Sequence, residues 1–199
     1  MAELSVVIRG LSSLADIKDI PRDIRVIASR AVNQTARRYR TASSRMLREQ
    51  INFPARYLSG QDGKIALKPS SPATLEATLS AGSNPRSLAR FATGSGKGKG
   101  KVKVEVTPGA TRSLPGAFLL RISGGGGGEN TLLAVRSPTK PSGAYKPRRI
   151  GKTLWSLYGP SVAQALLHGD NKGIWPEIEP DIANALETEY LRQLKVEGL

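Results

Sequence analysis

Few residues of this chain have the types and spacing that chemistry requires. Residues 94–101, "GSGKGKGK", carry the glycines and lysines of a phosphate-binding loop. They lack the G-x-x-x-x-G-K-[ST] spacing, however, and lead into an alternating strand pattern, where a phosphate loop needs a helix N-terminus to present backbone N–H groups. They read as a flexible basic loop, with Lys97, Lys99, Lys101 and the following Lys103 able to meet an extended row of phosphates without reading bases. His168 is the only histidine and has Asp170 close behind it, but no serine sits in an elbow motif, so a Ser-His-Asp relay has no nucleophile. One histidine rules out His-based metal sites, and the absence of cysteine rules out thiol catalysis, thiolate sites and disulfides. Glu177, Glu179 and Asp181 crowd a helix start, where the positive end of the helix dipole accounts for them, and no calcium-loop spacing surrounds them. The expectation is a chain without enzymatic activity, cofactor or metal.

What remains is charge. The stretch "ARRYRTASSRMLREQ", residues 36–50, sets five arginines among alanines and small alcohols. At 100° per residue Ala28, Val32, Ala36, Tyr39, Ala42 and Met46 fall within about 120° of one another, as an amphipathic helix requires. Arg30, Arg37, Arg45 and Arg48 lie on the opposite side. A solvated charged face is the plain alternative. Acidic partners at i,i+4 are nearly absent, with only Asp23 and Glu49 nearby, so the arginines repel one another unless phosphate or an acidic protein lies beside them.

The elements that must position these groups follow from periodicity. "LSVVIRG" reads as a short strand, and the long helix starts around Pro21, with Asp23 in its first turn. "NFPARYLSGQ" ends the helix and begins a loop. "GKIALKP" and "ATLEATLSAG" read as strands, the second with Leu75, Ala77 and Leu79 alternating against Glu76 and Thr78. "NPRSLARFATGSGKGKG" is a loop around one apolar patch, and "KVKVEV" is a half-buried antiparallel strand with Val102, Val104 and Val106 inward. "GAFLLRIS" and "TLLAVR" are strands joined by a glycine-rich tip. "SPTKPSGAYKPRRIGKT" is an extended basic arm, and "LWSLYGPSVAQALLHG" turns at Gly159 and Pro160 into a short helix. A final helix near "EPDIANALETEYLRQLKVEG" has Ile182, Leu186, Tyr190 and Leu194 as its stripe. Strands without intervening helices make a meander, so the predicted class is α+β. The long N-terminal amphipathic helix packs on an antiparallel sheet and C-terminal helices follow. Residues 1–199 form one domain with flexible loops at 94–101, 123–130 and 137–152.

Composition adds bounds. The 39% hydrophobic content, 21 glycines and 13 prolines are lean for 199 residues, which suggests stability drawn partly from neighbouring subunits. A net charge of +14 repels itself unless counter-charge is near. It is unevenly spread: residues 1–169 hold 27 Lys and Arg against 9 Asp and Glu, whereas residues 170–199 hold 3 against 7. An acidic tail on a basic body can lie against a neighbour's basic surface, which makes Glu177, Glu179, Asp181, Glu187 and Glu189 candidate subunit contacts. Trp155 and Trp175 join them as packing or interface anchors. The N-terminus does not read as a signal peptide and no run reaches membrane-spanning length, so a reducing cytoplasm and no membrane are expected.

Several pieces, in one order over about residues 30–165, resemble the minor tail protein Z family of lambda-type long-tailed bacteriophages: "RAVNQTARRYRTASSRMLREQ", "FPARYLS", "SLARFA", "PGAFLLRI" and "LYGPSVAQ". The resemblance implies a virion structural protein, assembled in the bacterial cytoplasm, that completes the head-proximal end of the tail and helps join it to the head. It further implies a homo-oligomeric ring of six copies around the DNA channel. Neighbours would be tail terminator and tail tube proteins, head–tail connector proteins and the tape measure protein, with double-stranded DNA met without sequence specificity. The residue-level alternative is a free, sequence-independent DNA-binding protein.

Overall fold

The computed structural model describes residues 4–9, 20–58, 64–93, 101–122, 131–143, 145–168 and 174–198. Contacts divide the chain into two compact units, each assembled from separated segments. The first comprises Met1–Leu47, Ala55–Ser83 and Val162–Leu199; the second comprises Arg48–Pro54 and Asn84–Ser161.

Unit 1 holds β1 (Leu4–Arg9), most of α1 (Arg22–Gln50), the single turn α2 (Ala55–Leu58), β2 (Ile65–Lys68), β3 (Glu76–Ala81), α3 (Val162–His168) and α4 (Trp175–Val196). Helix α1 begins where proline predicts: the Pro21 carbonyl accepts from the Arg25 N–H, and Asp23 stands in the first turn. Of the expected apolar face, Ala28, Val32, Ala36 and Tyr39 are buried, whereas Ala42 and Met46 are half-buried. Past Tyr39 the buried seam runs instead through Ser43, Ser44 and Leu47. Hydropathy turns serine outward, but its small size permits close packing on a covered helix face.

The strands of unit 1 form one antiparallel sheet in the order β1-β3-β2. In the central strand β3, Ala77, Leu79 and Ala81 are buried and the residues between are half-buried, as the alternation predicts. Side chains of α1 bind this region directly. The Asn33 amide donates to the Ser70 carbonyl at 3.0 Å and accepts from the Ser70 N–H at 2.8 Å, while Arg40 Nε donates to the Ile65 carbonyl at 2.9 Å. Helix α4 starts four residues before Glu179, the expected start, because Pro176 occupies its first turn, where a missing N–H costs nothing. Ile174 and Ile178 are buried, but the stripe Ile182, Leu186, Tyr190 and Leu194 is only half-buried.

Unit 2 is built from strands and one 3-10 turn, Leu88–Phe91. β4 (Ala92–Thr93), β5 (Lys101–Thr107) and β6 (Ala110–Pro115) form an antiparallel sheet in chain order. β7 (Ala117–Arg121), β8 (Thr131–Arg136), β9 (Lys146–Arg149) and β10 (Leu154–Tyr158) form another in the order β7-β8-β10-β9. The chain is therefore α+β, with its strands in three small antiparallel sheets rather than one meander.

Four of these strands escape a periodicity search, β4 because two residues show no period. β6, "ATRSLP", is an edge strand exposed along most of its length, so no apolar face marks it. Pro108 and Gly109 connect it to β5 through a two-residue turn, Gly109 taking φ +77°. β9, "KPRR", lies inside the 137–152 stretch that reads as an arm; its proline is tolerated because it too is an edge strand. β10, "LWSLY", is a central strand with an almost continuous apolar run, which looks like the approach to a turn. Of the expected flexible loops, residues 94–100 and 123–130 lie outside the described residues.

The core of unit 2 gathers Phe53, Leu88, Phe91, Val102, Val104, Leu133 and Leu157. The Phe53 and Phe91 rings are 5.4 Å apart and tilted by 51°. Ser87 is the polar centre: its buried hydroxyl oxygen accepts from the Ala89 N–H at 3.3 Å and from the Leu133 N–H at 3.2 Å. Gly159 sits at a close approach: a Cβ there would stand 3.0 Å from Leu88 Cδ2, which would have to give by a few tenths of an ångström.

Candidate nucleic-acid interface

The division into units sorts the charge. The segments of unit 2 contain 15 Lys and Arg against 3 Asp and Glu, a net +12, while those of unit 1 contain 15 against 13, a net +2. Nearly all of the chain's +14 therefore belongs to the strand-built unit.

The residues expected to face phosphate are not brought together at one place. Arg30, Arg37, Arg45 and Arg48 are all exposed, and they lie within about 80° of one another around α1 at 100° per residue. Arg30 is paired within unit 1: its guanidinium donates to the Glu197 carboxylate just past α4. Lys97 and Lys99 lie outside the described residues, Lys101 opens β5, and Lys103 is exposed on that strand.

Sequence reasoning quoted a denser group but gave it no structure. Arg136 ends β8, Lys146, Arg148 and Arg149 form three of the four residues of β9, and Lys152 sits in the turn to β10; all five are exposed. Register pairs Lys146 with Tyr158, Arg148 with Ser156 and Arg136 with Leu154, alternate positions of β10, which puts three cations on one face of the sheet. Arg149 pairs with Trp155 and lies on the other face. Its guanidinium stands 5.8 Å from the Trp155 ring centroid and donates to the Gly151 carbonyl at 3.2 Å and the Lys152 carbonyl at 2.7 Å, so it holds the turn. Trp155 in turn donates from its indole N–H to the Ser137 carbonyl at 3.1 Å. The signal available beforehand was an absence: no Asp or Glu occurs from 130 to 169.

The candidate subunit contacts separate in the same way. Trp155 is engaged inside unit 2, whereas Trp175 opens α4, half-buried, and lines a small apolar cleft with Ile65, Leu79 and Leu166. Glu177, Glu179, Asp181 and Glu187 are exposed on α4. Glu189 is not free: Arg192 donates to both its oxygens at 2.6 and 2.9 Å and Gln193 donates at 2.8 Å. The Arg192 hydrogen bonds hold its carboxyl below the usual glutamate range despite partial burial. Burial pushes the Tyr39 phenol up, opposed by the Arg38 charge and reinforced by Asp181. His168 closes α3, and Asp170 lies outside the described residues. Among the described residues no three His, Asp or Glu side chains gather to hold a metal ion, and no helix is long and apolar enough to cross a membrane.

Comparison with protein-family models, with curated proteins and with solved structures finds no match to this chain. The site must be judged on its own geometry.

Proposed function

We propose that the chain is a structural protein of the junction between tail and head in a long-tailed bacteriophage, completing the head-proximal end of the tail. In this reading copies close into a ring, six in number, around the channel that carries double-stranded DNA. Tail terminator and tail tube proteins adjoin the ring on one side and head–tail connector proteins on the other, with the tape measure protein reaching it from the tail.

The observation that supports this most is the surplus of positive charge confined to unit 2. Copies of the chain cannot neutralise one another, because each brings +14. A polyanion of another kind is needed, and duplex DNA, with one charge per about 1.7 Å, matches +14 over about 24 Å of its length. Helix α4 supplies the second part. Beyond its half-buried stripe it exposes Leu191 and Val196, at 51% and 68%, together with the carboxylates of Glu177, Glu179, Asp181 and Glu187, which have no partner among the described residues. An apolar strip edged with acid suits contact with a basic neighbouring copy, and such a head-to-tail contact closes into a ring when its rotation allows.

Sedimentation velocity and negative-stain imaging of the purified protein without DNA test the assembly. Closed rings are expected, and Leu191→Glu with Val196→Glu should dissolve them. A monomer at every soluble concentration would overturn the ring; if that monomer binds DNA tightly, the free DNA-binding alternative takes its place.

A further inference from the structure

We infer that the β9–β10 ribbon, with Arg136 beside it on β8, is a phosphate-backbone site for duplex DNA, and that Arg149 positions it. The inference deepens the reading above by naming where DNA is met, and depends on that reading only for the assembly that surrounds it.

The ribbon differs from the paired cations of α1 and α4 in having nothing acidic of its own. Arg30 of α1 is neutralised by Glu197, and Arg192 of α4 by Glu189. Lys146, Arg148 and Lys152 are exposed in a stretch with no carboxylate from 130 to 169, and Arg136 and Arg149 lean on the rings of Phe118 and Trp155 rather than on an acid. Cations so placed repel one another, and the fold still spaces Lys146 and Arg148 about 7 Å apart on an edge strand. An anion of matching extent beside it relieves that repulsion.

The backbone that carries these cations is tied by hydrogen bonds. Arg149 gives two of its five N–H donors to the carbonyls of Gly151 and Lys152. The turn is closed further by N–H groups of Ile150 and Gly151 donating to the Leu154 carbonyl at 2.9 and 3.1 Å, and by the Ser137 N–H donating to the Thr153 carbonyl at 2.8 Å. A tied backbone loses less conformational entropy on binding than an unstructured basic arm would.

Recognition is of phosphate rather than of sequence. Between 131 and 161 there is no Asn, Gln, Asp or Glu, so the side chains that pair with adenine or cytosine edges are missing. A second copy's α4 is the competing occupant. Its four exposed carboxylates, without a partner among the described residues, could offset at most four of the +12 of unit 2, and duplex DNA matches the rest.

The test is fluorescence anisotropy of a labelled mixed-sequence duplex across a range of salt, using the full chain. The triple variant Lys146→Ala, Arg148→Ala, Lys152→Ala should lower the slope of log K against log salt by roughly 2 to 3 and weaken binding on the order of a hundredfold at moderate salt. A second triple, Arg22→Ala, Lys68→Ala, Lys195→Ala, removes three exposed cations of unit 1 and should leave the slope unchanged. All six positions are exposed, and far-UV circular dichroism is the check that both variants fold. Arg149→Lys keeps the charge but loses the two-carbonyl clamp, and should weaken binding while nearly preserving the slope. Equal losses from both triples, an unchanged slope in the ribbon triple, or loss of self-association with DNA binding intact would each overturn the inference. Rings that form normally with a DNA-inert ribbon would sink the ribbon alone; a monomer that binds through it would sink the ring alone.

Discussion

Unit 1 and unit 2 hold equal numbers of Lys and Arg and differ almost entirely in acid. In unit 1 two acids are paired: Glu197, just past α4, with Arg30 of α1, and Glu189 with Arg192 inside α4. In unit 2 acids are few, and order comes from strand pairing, from the buried Ser87 hydroxyl and from guanidinium groups resting on aromatic rings. A basic surface in a folded protein does not need more cations than its surroundings; withholding carboxylates from one region is enough. The cost is self-repulsion, relieved when a polyanion binds.

The two tryptophans make this contrast measurable, because Trp155 belongs to unit 2 and Trp175 to unit 1. With one replaced by Phe, fluorescence of the other reports its own unit. The largest expected effect is from Leu133→Ala, which empties a fully buried position in β8 and should cost about 2–5 kcal/mol, read as a lower melting temperature with Trp155 shifting further than Trp175. Equal shifts would break the contrast and make the chain one cooperative body. Ser87→Ala removes the shared acceptor of the Ala89 and Leu133 N–H groups and should cost about 1–3 kcal/mol, again with Trp155 leading.

The smallest effect is from Glu189→Gln. Because its folded carboxyl is held below the ordinary glutamate range, Glu189 contributes stability at pH values above that range and loses it as the pH falls through the lowered value. Wild type and variant should therefore differ in melting temperature near neutrality and converge in acid, with Trp175 as the reporter. Curves that stay parallel down to acid pH would show that the Arg192 contact contributes nothing.

Several levels of this structure were legible in advance because they are local. Helix α1 announces itself through Pro21, Asp23 and a repeat of nearly four residues; β3 and β5 do so through strict alternation of apolar and polar positions. β6, β9 and β10 were not legible: two are edge strands carrying polar or charged residues, and the third is buried on both sides, so none has the single apolar face that alternation detects. The pairing of Glu189 with Arg192 is three residues apart and could have been read from helical spacing; that of Arg30 with Glu197 could not.

By itself the amino-acid sequence determined the α+β class, the amphipathic helix, the lack of thiol and paired-histidine chemistry and the excess of positive charge, since each depends only on residue type or near-neighbour spacing. Tertiary structure decided where that charge resides. Lys146, Arg148 and Arg149 look like an unstructured arm until β9 pairs with one edge of β10; the other edge of β10 pairs with β8 and brings Arg136 to the sheet face that carries Lys146 and Arg148. Strand register joins residues far apart in the chain through backbone hydrogen bonds that every residue type can make, so side-chain identity alone does not reveal it.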